Sequence, residues 1–122
     1  MTNPENRAIE LHNKLSNERT KRHTTTAVGI TDSNISIVGS SEEYLRAEIR
    51  EALSEDEIPA KGKPGNHAED NVIAEADDKN LTITDIGASR PICLDCELEI
   101  KKRGIKSWTI FSGKKSKKRR DS

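Results

Sequence analysis

Hydrophobic residues near the start of the chain recur at the spacing of an α-helix. Ala8, Leu11 and Leu15 fall on one face, because a helix returns to the same face every three to four residues. An asparagine that can cap a helix stands just before Pro4, and proline is well tolerated at a first helical position, where its missing N–H costs nothing. The pattern therefore predicts a first helix that begins at about residue 4 and ends before Lys21.

Two β-rich runs follow, separated by three turn-forming residues. The first run covers residues 24–31 (TTTAVGIT), and the second covers residues 35–38 (ISIV). Both are rich in β-branched side chains, and the Asp32-Ser33-Asn34 segment between them has the residue types favoured in tight turns. These features predict a β-hairpin.

The next segment predicts a helix and then a loop. Ser40 and Glu43 have the spacing of a capping box, and a helical hydrophobic stripe then runs through residues 41–53. From Ser54 to Gly65 the periodic pattern gives way to acidic residues, prolines and glycines. This composition is typical of a loop.

The second half of the chain alternates helix and strand. It predicts, in order, a helix capped by Asn66, a strand over residues 81–86 (LTITDI), a helix from Pro91 to Gly104, and a strand over residues 105–111 (IKSWTIF). A strand–helix–strand unit places its two strands parallel, with a right-handed crossover. Trp108 lies in the last strand and is expected in the core. The whole pattern predicts an α/β fold, in which a mixed sheet combines the hairpin with parallel strands and is flanked by helices.

Length and composition limit this fold to one domain with a thin core. The chain has 122 residues, of which 31% are hydrophobic and 34% are charged. A chain of this size buries roughly 60–70% of its unfolded surface on folding. No apolar run is long enough for a membrane span, and the first 16 residues lack the apolar stretch of a signal peptide. A large apolar ligand pocket is also unexpected.

The net charge of zero conceals an uneven distribution. Residues 1–100 carry 11 Lys and Arg against 20 Asp and Glu, whereas residues 101–122 carry 10 Lys and Arg against one Asp. We therefore divide the chain into a folded domain at residues 1–112 and a basic tail at residues 113–122, which we expect to be disordered. A basic run attracts polyanions, although a solvated tail that only aids solubility has the same composition.

Two short motifs hold the residues with the most specific chemistry. The first is His67-Ala68-Glu69, and the second is Pro91-Ile92-Cys93-Leu94-Asp95-Cys96. Each lies at the start of a predicted helix. Cys93 and Cys96 share a helix face and can reach one ion, and His67 would complete the three protein ligands of a catalytic zinc site, with one position open to water. Glu69 would project beside the metal without ligating it.

Three other interpretations stay open on the residues alone. The two cysteines could form a redox pair, since C-x-x-C also occurs in thiol–disulfide enzymes. His12 or His23 could join the ligands in a closed structural zinc site. His67 and Glu69 could instead be ordinary solvated residues at a helix N-terminus, where the helix dipole favours glutamate.

The segments GNHAEDNVIAEA and ITDIGASRPICLDCELEI together resemble the zinc-dependent cytidine/deoxycytidylate deaminase superfamily, whose signature is H-x-E followed by P-C-x-x-C. The nearest resemblance is to the compact deaminase domains of bacterial polymorphic toxins, although here Ile92 separates Pro91 from Cys93. The motif-bearing resemblance covers residues 65–112. In the N-terminal half it extends only to a compatible order of elements, in which the predicted helix over residues 41–53 is an insertion.

This resemblance implies a three-layer, cytidine deaminase-like fold and a set of site residues. The ligands of Zn²⁺ would be His67, Cys93 and Cys96. Glu69 would be the proton shuttle, which carries a proton from water to the substrate. The backbone of Ala68 and the residue Ser89 would line the pocket for the base.

The resemblance also implies that the chain converts cytosine to uracil in nucleic acid. DNA is the favoured substrate, as for the toxic domain of a larger bacterial toxin delivered to the cytoplasm of a target cell, and an immunity protein would be a further partner. RNA, a free nucleoside or base, and a catalytically silent zinc module that binds nucleic acid or a protein are the alternatives. The residues say little about the substrate, because the chain has only one Tyr, one Trp and one Phe to stack on a base. If the folded domain contacts phosphates, Lys61, Lys63 and Arg90 are the first candidates.

Overall fold

The computed structural model describes residues 3–63 and 65–115. Its helices are α1 (Pro4–His12), α2 (Glu18–His23), α3 (Ala47–Arg50), α4 (Ala68–Asp78) and α5 (Leu94–Lys102). Its strands are β1 (Thr26–Thr31), β2 (Ser36–Ser40), β3 (Glu57–Pro59), β4 (Ile83–Ala88) and β5 (Lys106–Ser107). None of the helices in these ranges is long and apolar enough to cross a membrane.

The described strands form one mixed sheet in the order β3-β2-β1-β4-β5. β1 lies at its centre and is antiparallel to both neighbours, β2 and β4. The two outer pairs, β2 with β3 and β4 with β5, are parallel. The predicted hairpin and the parallel pairing of the strands on either side of the last helix are therefore confirmed. The chain is an α/β protein with a mixed sheet.

Side chains that alternate along β1 and β2 point to opposite faces of the sheet. Ala27 and Ile37 belong to the core cluster that contains the buried residues of α4 and α5. Val28 and Val38 belong to a second cluster, which contains the buried residues of α1 and α3. The sheet thus lies between two helical layers, as expected for a three-layer α/β fold.

Glycines on both faces let the helices approach the sheet closely. A Cβ atom at Gly29 or Gly39 would lie 2.6 or 2.9 Å from a methyl carbon of Val72 in α4. On the other face, a Cβ atom at Gly87 of β4 would lie only 2.2 Å from the backbone nitrogen of Glu5 in α1. Carbon atoms in contact normally stay about 3.5–4.0 Å apart. The first turn of α1 and the middle of α4 are therefore held at distances from the sheet that a side chain at these positions would not allow.

The first predicted helix is in fact two helices. α1 ends at His12, and α2 begins after Asn17, whose side chain accepts a hydrogen bond from the Thr20 N–H at 2.9 Å. Leu15 lies in the connection between them and is still buried in the α1 cluster. The prediction of one continuous helix is wrong because Asn17, with a capping side chain, starts a new helix within the predicted range.

The prediction of a helix over residues 41–53 is also wrong. Ser40 is the last residue of β2, and its hydroxyl accepts a hydrogen bond from the Glu42 N–H at 3.1 Å instead of starting a helix. Only the single turn of α3 is helical in this segment. Leu45 and Ile49 are nevertheless buried, so the hydrophobic spacing identified core positions without identifying their conformation.

A short edge strand, β3, lies inside the segment that the sequence predicts as a loop. It pairs with β2, and Ile58 packs against the core cluster of α4 and α5. Glu57 receives hydrogen bonds from the guanidinium of Arg7 in α1, at 2.8 and 2.7 Å. This ion pair joins the edge strand to the helical layer beside it.

At the opposite edge, β5 is much shorter than the predicted strand over residues 105–111. Trp108 follows β5 and is half-buried, and its indole N–H donates a hydrogen bond to Asp85 at 2.8 Å. The Lys106 ammonium group lies 4.5 Å from the centre of the indole ring. Trp108 is therefore part of the sheet edge, and the expectation that it belongs to the core is wrong.

We expect Gly87→Ala to destabilise the protein by about 3 kcal/mol, because the added methyl group meets the backbone of α1 and cannot be relieved by a side-chain rotation. Thr84→Ser, at an exposed position of the same strand, keeps the hydroxyl that donates to the Ile30 carbonyl at 3.3 Å and should change the free energy of unfolding by less than about 0.5 kcal/mol. Urea unfolding of both variants measures the difference. Equal stability of the two variants would contradict the close approach of α1.

Candidate metal centre and active site

The starts of α4 and α5 come together, and the two sequence motifs occupy them. His67 is the N-cap residue of α4, and Cys93 is the N-cap residue of α5. The predicted starts, with Asn66 as a cap and Pro91 as a first helical residue, are one to three residues early. Both motifs are nevertheless at helix starts, as predicted.

Three potential metal ligands from these helix starts form one cluster. The Sγ atom of Cys93 lies 3.1 Å from the Nδ1 atom of His67. Cys96 lies in the first turn of α5, and one ligand atom from each of the three residues falls within 4.8 Å of the others. In a tetrahedral site with zinc–sulfur bonds of about 2.3 Å, ligand atoms are about 3.5–3.8 Å apart. Small side-chain adjustments would therefore bring all three onto one ion.

The chemistry of this cluster suits a cation. His67, Cys93 and Cys96 are all buried, with exposed fractions of 9%, 8% and 1%. Burial, and then the neighbouring carboxylates of Glu69 and Asp70, raise the pKa of the Cys96 thiol far above its usual range. A divalent cation would reverse this effect by stabilising the thiolate. One imidazole and two thiols are the donors that zinc prefers, and the cluster can hold a metal ion.

Asp70 links the two halves of the cluster and was missed by the sequence analysis. Its carboxylate accepts a hydrogen bond from the His67 backbone N–H at 3.3 Å, and the Cys96 Sγ atom lies 3.8 Å from its other oxygen. Groups that hold metal ligands in place contribute strongly to metal affinity. The signal was available in the sequence, because an acidic residue three positions after a helix cap is the second half of a capping box.

Glu69 is the acid–base candidate of the site. Its side chain is buried, with 4% of the residue exposed, and it lines the same cavity as His67 and Cys93. Burial raises the pKa of Glu69 to about 7, the charge of Asp70 acts in the same direction, and its own backbone N–H and Arg90 act against it. A carboxyl group with a pKa near neutrality can both accept and release a proton at the pH of a cell.

A cavity of about 650 Å³ opens beside the cluster. Ala68 lines it, as the resemblance implies. Ser89 does not belong to its lining among the described residues. The Ser89 hydroxyl accepts a hydrogen bond from the Thr26 N–H at 3.0 Å, and the Ser89 N–H donates to the Thr26 carbonyl at 2.9 Å. These two hydrogen bonds hold Ser89 against Thr26, the first residue of β1.

The other two histidines lie outside the ligand cluster. Both ring nitrogens of His12 are engaged, one with the Thr26 hydroxyl at 3.0 Å and the other with the Lys21 carbonyl at 2.7 Å. Because the carbonyl can only accept, His12 donates from Nε2, and burial lowers its pKa. His23 lines the cavity without joining the cluster. The alternative of a closed site with His12 or His23 has no geometric support in the described part of the chain.

Among the residues described, the aromatic rings that line the cavity are the imidazoles of His23 and His67. Tyr44 is exposed elsewhere, and Trp108 lies at the sheet edge. Phe111 packs against the core cluster of α4 and α5. None of the three lines the cavity. A base in this cavity would therefore contact small and polar side chains.

The segment after β5 folds back over the start of α5. The Ser112 N–H donates a hydrogen bond to the Ile92 carbonyl at 2.8 Å, and the Leu94 N–H donates to the Lys114 carbonyl at 2.9 Å. Ser112, Lys114 and Lys115 all line the cavity. Ordered contacts therefore continue beyond residue 112, where we placed the domain boundary. Residues 116–122 of the expected tail lie outside the described part of the chain.

Comparisons with protein-family models, with curated proteins and with solved structures found no significant match. The fold and the site define an α/β protein with a candidate metal centre at the meeting point of two helix starts. Its function has to be inferred from the geometry of that site.

We expect the purified protein to bind one divalent metal ion per chain, and we expect Cys93→Ala and Cys96→Ala to lose it. Each change removes one of three ligands from a site that has no spare donor within the described cluster. His23→Ala, which changes the same cavity outside the cluster, should keep the metal. Elemental analysis of the three variants tests the assignment, and full metal retention in both cysteine variants would refute it.

Two truncations separate the C-terminal segment from the tail beyond it. Removal of residues 114–122 deletes the carbonyl that accepts the Leu94 N–H, and we expect a loss of about 1 kcal/mol of stability and weaker metal retention. Removal of residues 116–122 leaves that hydrogen bond intact and should change neither property. Thermal unfolding and metal analysis compare the two. Identical behaviour would show that the Lys114 contact does not support the site.

Proposed function

We propose that the chain is a zinc-dependent deaminase that converts cytosine to uracil in nucleic acid, with DNA as the favoured substrate. The observation that supports this most strongly is the position of Glu69. It is a buried carboxyl, it follows the candidate ligand His67 by two residues, and it lines one cavity with His67 and Cys93. This combination of a His-Cys-Cys cluster with an unligated glutamate fits the deaminase signature noted in the sequence.

The proposed reaction needs water and a proton carrier. When bound, zinc would supply a water molecule whose pKa is lowered from ~15.7 toward about 7. The Glu69 carboxylate would accept a proton from that water and deliver it to the ring nitrogen of cytosine as oxygen adds to the neighbouring carbon. The amine then leaves as ammonia after a second proton transfer through Glu69, so water and cytosine give uracil and ammonia. Positioned proton transfer of this kind contributes on the order of 10²–10⁴-fold in rate.

The size and lining of the cavity are compatible with a nucleobase as the reacting group. Its volume of about 650 Å³ leaves room for more than a base, and Ala68 offers backbone next to the cluster. Ser89 has no role in this proposal, because it is not among the described residues that line the cavity, and its N–H and hydroxyl oxygen contact Thr26. The larger toxin, its delivery to a target cell and an immunity protein stay predictions from the resemblance.

We expect Glu69→Gln to retain the metal and the fold while it lowers turnover by at least about 10²-fold, because glutamine keeps the shape and cannot carry a proton. Asp78→Asn, at the exposed end of the same helix, is the matched control and should retain full activity. Ammonia release from a cytosine-containing oligodeoxynucleotide measures both. Near-normal turnover by Glu69→Gln would remove Glu69 from the mechanism.

The substrate class is tested by sequencing DNA and RNA after exposure to the zinc-loaded protein, together with an assay of free cytidine. Cytosine-to-uracil changes in DNA support the favoured substrate, and changes confined to RNA or to free cytidine replace it by one of the alternatives. Bound zinc without ammonia release from any of them would indicate a catalytically silent zinc module.

A further inference from the structure

Positively charged side chains from three separate parts of the chain meet at the cavity. They are Arg22 at the end of α2, Arg90 between β4 and α5, and Lys114 and Lys115 after β5. Among the described residues that line the cavity, Glu69 is the only carboxylate. The cavity therefore has a positive rim, although residues 1–100 carry nine more acidic than basic side chains. Of the basic residues favoured from sequence alone, only Arg90 lies there.

These rim cations form no ion pair with any other described residue. Arg7 pairs with Glu57, Arg46 with Glu42, and Arg103 with Asp77 and Glu99, whereas Arg19 and Arg50, like the rim arginines, form no ion pair with a described residue. The rim differs in that its cations line one cavity. Acidic residues are abundant in the chain, so partners were available. A cluster of uncompensated cations costs electrostatic energy unless an anion neutralises it. The rim is therefore suited to bind an anionic ligand.

The guanidinium group of Arg90 is held by the backbone of Arg22. Nη2 of Arg90 donates a hydrogen bond to the Arg22 carbonyl at 2.7 Å, and Nε2 of His12 donates to the preceding carbonyl, that of Lys21. Two of the carbonyls that the end of α2 leaves without helical partners are therefore occupied by side chains. The arrangement holds the tip of Arg90 beside the backbone of Arg22, and both arginines are exposed at the cavity.

We propose that Arg22 and Arg90 bind the phosphate next to the target base of a single-stranded polynucleotide. This proposal rests on the proposed function and specifies how its substrate is held. A guanidinium group matches phosphate geometry, because it can donate two parallel hydrogen bonds. No Tyr, Trp or Phe among the described residues lines the cavity, so we expect the backbone phosphates to contribute much of the affinity.

The first test is the binding of a fluorescent oligodeoxynucleotide with a single cytosine, measured by anisotropy in the catalytically silent Glu69→Gln background. Arg22→Gln and Arg90→Gln should each weaken binding about tenfold and reduce the slope of log affinity against log salt by at most about 0.7, the value for one phosphate. Arg19→Gln is the matched control, since Arg19 lies on the same helix outside the cavity lining. An equal loss in Arg19→Gln would show a general charge effect and overturn the proposal.

The second test places the contact on one phosphate. A neutral methylphosphonate is substituted for the phosphate on either side of the cytosine, one position at a time. At the contacted position the substitution should weaken binding by at least about tenfold in the parent protein and by clearly less in Arg22→Gln or Arg90→Gln, because each variant has already lost part of the same contact. Additive losses at both positions would overturn the assignment. Arg90→Lys, which keeps the charge, should retain the salt slope and so exclude a purely structural role.

The two proposals fail in different ways. If the arginine-dependent binding is observed but no oligonucleotide is deaminated by the wild-type protein, the phosphate site stands and the proposed reaction falls. If the wild-type protein deaminates the oligonucleotide and the arginine variants keep its KM and salt slope, the reaction stands and the phosphate site falls.

Discussion

The position of α4 on the sheet determines the geometry of the site. Val72 packs against two strands at points where both carry glycine, Gly29 and Gly39, so the helix lies unusually close to β1 and β2. The buried side chain of Asn71 donates a hydrogen bond to the Ser40 carbonyl at 2.8 Å and accepts one from the Lys63 N–H at 3.2 Å. The first turn of α4 is thereby held from two sides. It can present a ligand and a carboxyl group at fixed positions, which is what a preorganised site requires.

The interior and the rim of the cavity have opposite electrostatic properties. Its interior places the cluster of His67, Cys93 and Cys96 beside the carboxyl group of Glu69, and a cation would stabilise such a site. Its rim carries cations that pair with no described acidic residue, and an anion would stabilise them. A nucleotide with an uncharged base and a charged phosphate would satisfy both conditions if its base lay at the cluster and its phosphate at the rim. A free nucleoside would leave the rim uncompensated. The charge distribution thus favours a phosphate-bearing substrate without identifying the base.

The features that could be predicted from the sequence are those encoded in adjacent residues. The hairpin and the two motif-bearing helices follow from short-range patterns, and the cluster of His67, Cys93 and Cys96 was expected because the two motifs together resemble one signature. β3 could not be found in this way, because its pairing with β2 depends on residues about twenty positions away and its own sequence is dominated by polar residues and proline. The meeting of Arg22 with Arg90 depends on the register between β1 and β4, which no local pattern contains. The rim is therefore assembled by long-range strand pairing, whereas the residues of the interior could be identified from sequence motifs.

The hydrogen bond from the Leu94 amide to the Lys114 carbonyl gives the site a built-in reporter. An amide at the start of a helix has no partner within the helix, so its exchange with solvent deuterium depends on this one external acceptor. Protection of Leu94 therefore measures how often residues 112–115 detach, separately from global unfolding. A molecule that binds Lys114 and Lys115 and so holds this segment against the start of α5 would slow deuterium exchange at the Leu94 amide. Occupation of the cavity could thus be followed by deuterium uptake, even with a molecule that the protein does not chemically alter.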